Sequence, residues 1–73
     1  MARKEVRSEI TGSVWKILKK TGDDVQDEDA LMILESMKME IPVQAEARGK
    51  VAEICVKEND SVSEGQLLAV LEL

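Results

Sequence analysis

Residues 27–40 read DEDALMILESMKME, and the fold turns on whether they coil or extend. Taken alone they favour a helix. Ala, Leu, Met and Glu are good helix formers, the acidic start suits an N-terminus, and Pro42 stands just beyond as a stop. A second stretch argues the other way. GSVWKILKKTGDDVQDEDALMILES, from Gly12, aligns without a gap on GKVAEICVKENDSVSEGQLLAVLEL, from Gly49, at a constant offset of 37. Gly12 matches Gly49, Val14 matches Val51, Ile17 matches Ile54, Val25 matches Val62, Leu31 matches Leu68, Leu34 matches Leu71 and Glu35 matches Glu72. The partner of residues 27–36 therefore begins EGQLLAVLEL, with Gly65 inside what would be a first helical turn. One structure must serve both copies, and a strand serves both.

Each half, about 12–36 and 49–73, then reads as short strands punctuated by turns. Gly22 and Asn59 occupy equivalent turn positions, and these residue types most readily take φ > 0. The expectation is one all-β domain over residues 1–73, a sandwich or barrel with pseudo-two-fold symmetry in which each half buries the other's apolar face.

Composition narrows the function. At this size a domain buries only about 60% of its unfolded chain's surface. Trp15 is the sole aromatic, so the core must come from Val, Ile, Leu, Met and Ala, leaving little to shape a deep aromatic-lined pocket. A net charge of −5 argues against nucleic acid and against an anionic membrane as partner. With no histidine and one cysteine there is neither a zinc site nor a histidine-based catalytic set. Cys55 lies in the strand-like run VAEICVKE and is expected to be a small buried hydrophobe. The charged N-terminus does not resemble a secretory signal, and no apolar run reaches membrane-spanning length. A soluble, cytoplasmic, monomeric protein is expected, with the acidic run DDVQDED as a solvated turn region.

The repeat also isolates one residue. Lys38 lies just past the end of the first copy, so if the pseudo-symmetry holds it sits at a protruding tip far from both termini. Between ALMILE and EIPVQA, Met37 and Lys38 would be the central residues of a two-residue hairpin. Such turns prefer Asn-Gly or Asp-Gly, because type I′ geometry needs φ > 0 twice. Met-Lys is poor turn chemistry in a chain that uses good turn residues elsewhere, which points to a constraint other than folding. Pro42, lacking a donor, fits an edge strand.

ESMKME, Glu35 to Glu40, at the end of an apolar strand within two gapless halves, closely resembles the attachment site of the biotinyl/lipoyl carrier domains, whose biotinyl motif reads Ala-Met-Lys-Met. The resemblance covers about Glu5 to Leu73. It implies a flattened β-barrel, or barrel-sandwich hybrid, of two four-stranded antiparallel sheets. It implies that a biotin protein ligase joins biotin to the Lys38 ε-amine, and that the arm then carries carboxylate between a biotin carboxylase and a carboxyltransferase. The chain would be a carrier and not itself an enzyme, with no metal. Met37 and Met39 would be recognition residues, for the ligase or for placing the arm. Glu35 and Glu40 would orient the tip or be read by the ligase, although the repetition of Glu35 as Glu72 favours a structural role for it. Ser36 stands where the biotinyl motif has Ala, Glu28 stands where the other half has Gly65, and the gapless halves leave no room for the thumb loop of some bacterial carriers. The alternative is a lipoyl carrier, or a dual biotin/lipoyl acceptor, for a 2-oxo acid dehydrogenase-type system, modified with lipoate by a lipoyl ligase; lipoyl domains typically carry Asp-Lys-Ala at this turn.

A lysine in water has a pKa of about 10.4, so little of it is nucleophilic amine at neutral pH. A surface lysine on a wet hairpin has no evident means of activating itself. The domain's contribution is position, and deprotonation falls to the ligase.

Overall fold

The computed structural model describes residues 2–73, and among them every regular element is a strand. The first half contributes β1 (Arg3–Arg7), β2 (Gly12–Ile17), β3 (Asp24–Val25) and β4 (Ala30–Ser36). The second contributes β5 (Met39–Gln44), β6 (Gly49–Ile54), β7 (Ser61–Val62) and β8 (Leu67–Glu72). They form two four-stranded antiparallel sheets, ordered β1-β8-β6-β3 and β5-β4-β2-β7. The sheets keep separate edges rather than closing into a barrel, so the architecture is a sandwich with β1 and β5 among its open edges. Pro42 lies on edge strand β5, where a missing donor is tolerated.

The duplication extends further than the aligned letters. Glu40 faces Glu35 across β4–β5, and Arg3, 37 residues earlier, faces Glu72, 37 residues later. Thus β1 and β5 are also equivalents, though only Val6 and Val43 match in sequence. The halves interlock: β3 pairs with β6 and β7 pairs with β2. The core divides into two clusters that the repeat exchanges. Val14, Met32, Leu34, Val62 and Leu68 in one correspond to Val51, Ala69, Leu71, Val25 and Leu31 in the other. Each cluster draws on both halves, as expected from the pattern, so neither half has a complete core of its own.

β-Bulges explain why the decisive stretch looks helical. The register of β4 against β5 shifts between Ala30 and Met32, and that of β8 against β1 shifts at the equivalent place. The extra residue lets Leu31, Met32 and Leu34 all be buried, a spacing that mimics a helical face. A matching bulge in β6, between Val51 and Glu53, corrects the expectation for Cys55. It resets the alternation so that Val51 and Val56 point inward while Cys55 is exposed.

The turns follow the repeat as well. Gly22 (φ 96°) and Asn59 (φ 75°) are both left-handed, as their types predict. Asp23 accepts the Lys20 amide and Asp60 accepts the Lys57 amide, at 3.0 and 2.9 Å. The next turns are closed by Asp29 on the Gln26 amide and by Gln66 on the Ser63 amide, each at 2.9 Å. Two carboxylates of the acidic run, Asp23 and Asp29, are therefore turn-closing groups and not merely solvated charges. Gly65 takes φ 86° where Glu28 keeps a negative φ, so one hydrogen-bond scheme closes two turn types.

Candidate functional site

Strands β4 and β5 are closed by the pair Ser36–Met39, leaving Met37 and Lys38 as a two-residue loop. Both have positive φ, 50° and 68°, as a type I′ turn demands. Neither has a side chain suited to that region. The left-handed conformation costs about 1–2 kcal/mol per residue outside glycine and, less severely, Asn and Asp. The register of the flanking strands imposes it, and the hairpin holds a lysine at its apex at the expense of turn stability.

The apex is exposed. Lys38 is solvent-accessible and, among the described residues, forms no salt bridge. Met37 is 92% and Met39 62% exposed, whereas Met32 is fully buried. Met37 and Met39 are therefore not core residues. Large apolar side chains this open gain little from the fold and offer adaptable surface to a partner. Glu35 and Glu40 are exposed and directly opposite one another.

The base of the hairpin is fixed by residues outside the motif. Ser36 Oγ donates to the Thr11 carbonyl at 3.0 Å, tying the end of β4 to the segment between β1 and β2. A Cβ on Gly12 would collide with the Glu35 carbonyl oxygen, and one on Gly49 with that of Glu72. The glycines let β2 and β6 approach the ends of β4 and β8. Sequence reasoning missed Thr11 and Gly12 as supports of the tip; the alignment of Gly12 with Gly49 was their one visible signal.

Other candidates lack this geometry. Lys4, Lys16 and Lys50 lie within strands, Lys20 and Lys57 begin the Asp-closed turns, and Lys19 lies 4.0 Å from Asp29. The Cys55 thiol is pushed above its usual pKa by desolvation and then by the Glu53 carboxylate, which leaves less thiolate. Among the described residues no cluster of His, Cys, Asp and Glu could hold a metal ion, and no helix is long and apolar enough to cross a membrane.

This chain matches the biotin/lipoyl family model, described as "Biotin-requiring enzyme", over residues 4–71. It is 44% identical over 66 residues to the biotin/lipoyl attachment protein of Bacillus subtilis, covering 90% of each chain. Its fold superposes on a segment of Kluyveromyces lactis urea carboxylase with a TM-score of 0.92 and 39% identity, covering 99% of this chain and 6% of that one. It superposes on the lipoyl domain of the Azotobacter vinelandii 2-oxoglutarate dehydrogenase complex with a TM-score of 0.81 and 31% identity, covering 94% and 95% of the two chains.

Proposed function

Because the chain belongs to the biotin/lipoyl attachment family, we propose that residues 1–73 act as a single biotin carrier domain whose Lys38 is acylated by a biotin protein ligase. The observation that carries this is the exposed amine on a left-handed two-residue turn between two open methionines. The sandwich holds the β-carbon of Lys38 at the apex, and the flexible stem beyond it lets the amine enter a foreign active site. There the neutral Nζ attacks the acyl carbon of biotinyl-adenylate. An amide bond forms, the bond from acyl carbon to phosphate oxygen breaks, AMP departs, and the amine proton passes to a ligase base or to water. Met37 and Met39 flank the amine with apolar surface for the ligase to cover. Glu35 and Glu40 present negative charge that a cationic ligase surface can read, and Ser36 holds the apex through Thr11.

Bound biotin supplies the nitrogen that accepts and donates carboxylate between a biotin carboxylase and a carboxyltransferase. The chain contributes rigid presentation and a tether that raises the local concentration of the group at each partner. The domain is then a substrate and carrier rather than a catalyst. The likeness to carboxylase segments supports such partners.

The resemblance to a lipoyl domain favours a second reading, in which a lipoyl ligase attaches lipoate to the same amine. Intact-mass measurement after incubation with biotin protein ligase or lipoyl ligase, each with its cofactor and ATP, separates the two. A biotinyl mass increment, absent from Lys38→Arg, is expected from the first. A lipoyl increment alone supports the second, and no increment with either ligase contradicts both.

A further inference from the structure

We propose that the outer face of the β5-β4-β2-β7 sheet, around Trp15, Ile33 and Pro42, is where the acylating ligase seats its body; this rests on the carrier reading. Lys16, Ile33 and Pro42 face one another across β2, β4 and β5. Met32 and Leu34, on either side of Ile33, are buried in the core, so this row points outward. Trp15 is the extra residue of the bulge in β2, 42% exposed, with its ring centroid 5.5 Å from Lys16 Nζ. The bulge turns it to the same side as Lys16. The chain's sole aromatic is thus presented to solvent in the row of Ile33 and Pro42.

The repeat supplies a control. The equivalents of Trp15, Lys16, Ile33 and Pro42 are Ala52, Glu53, Val70 and Glu5, on the other sheet. There Val70 is buried between Glu5 and Glu53, and the bulge residue is a half-buried alanine. The fold does not need an indole at this place, and an open one points to a partner.

The reach of the lysine says which partner. Its stem spans about 6 Å from Cα to Nζ by ordinary bond lengths, so an enzyme that acylates the amine must bring its body against the hairpin. The biotinylated arm spans about 15 Å, so enzymes acting on the bound ring can stand further off. Strands β4 and β5 carry the tip and their inner face is core. Pro42 lies about 13 Å and Ile33 about 17 Å along them from the apex. A standard interface takes about 800 Å² from each partner, about 30 Å across, so a ligase laid along the hairpin from the tip covers the row. Trp15 is the side chain suited to anchor it. A second copy of this chain is a poorer occupant, because three side chains fall well short of the area a stable dimer needs.

Ligase kinetics on the full chain test this. Trp15→Ser should raise the KM for the chain about ten-fold with kcat unchanged, as loss of an interfacial anchor does, while Glu53→Ala on the equivalent face leaves both unchanged. A second readout needs no variant: with 5-fluorotryptophan incorporated at position 15, its single fluorine resonance should shift on addition of ligase and not on concentrating the chain alone. An unmoved resonance at saturating ligase, or an unchanged KM for Trp15→Ser, overturns the docking face and leaves the carrier reading intact. A resonance that moves with chain concentration alone assigns the face to a second copy and overturns the proposal. A chain that ligase leaves unmodified overturns both readings.

Discussion

The hairpin end of β4–β5 and the end of β1–β8 are equivalent places in the repeat and differ in charge. In the second half Glu72 faces Arg3 on one neighbouring strand and Lys50 on the other. In the first half the equivalent Glu35 faces Glu40 and Ser13. Neither cross-strand partner of Glu35 is a cation, and a like-charge pair stands in place of an attractive one. The backbone differs too. Ser36 and Met39 flank a strained turn, whereas their equivalents, Leu73 and Ala2, are joined by a backbone hydrogen bond of 2.9 Å. One end follows the rules of stability. The other departs from them in turn chemistry, cross-strand charge and exposed methionine together, as expected where a sequence is shaped by a partner.

The comparison is broken most forcefully at the paired glycines. Gly12→Ala and Gly49→Ala should each lower stability by about 3 kcal/mol, since the new Cβ must displace backbone. Urea denaturation measures this. At a temperature where both variants stay folded, only Gly12→Ala should slow ligase-catalysed acylation of Lys38, because only Gly12 abuts the tip. Equal slowing by the two would mean that the tip is no more than a reporter of global stability.

A smaller effect sharpens the claim that the lysine is kept against the fold. Lys38→Gly should raise stability by about 1 kcal/mol through relief of the left-handed strain. Modification is lost with the amine. A loss of stability would show that the lysine side chain supports the hairpin.

Much of this was legible from the repeat, which carried the strand assignment over the helical appearance of residues 27–40. The two-residue loop followed from the letters between two strands. What remained hidden depends on bulges and pairing. Period-two reading of VAEICV cannot place Cys55, because the extra residue at Ala52 is set by the register against β8. Equivalence of β1 with β5 was invisible because edge strands share few side-chain constraints. The letter identity of Glu35 and Glu72 favoured a shared structural role; their charge surroundings differ because those surroundings come from other strands.

The smallest effect tests the charge contrast itself. Glu40→Arg recreates at the tip the pairing found between Arg3 and Glu72. It should stabilise the domain by about 0.5 kcal/mol, less at high salt, with slower acylation if the ligase reads the acidic pair. Thermal unfolding at low and high ionic strength, beside ligase kinetics, measures both.

The central claim is that backbone geometry, and not chemical reactivity, singles out one of seven lysines. Peptide mapping by mass spectrometry, after treatment of the folded full chain with biotin protein ligase, tests it most directly. A single biotinyl adduct on Lys38 is predicted, with Lys4, Lys16, Lys19, Lys20, Lys50 and Lys57 unmodified. An adduct on any of those six, or none at Lys38, would contradict it.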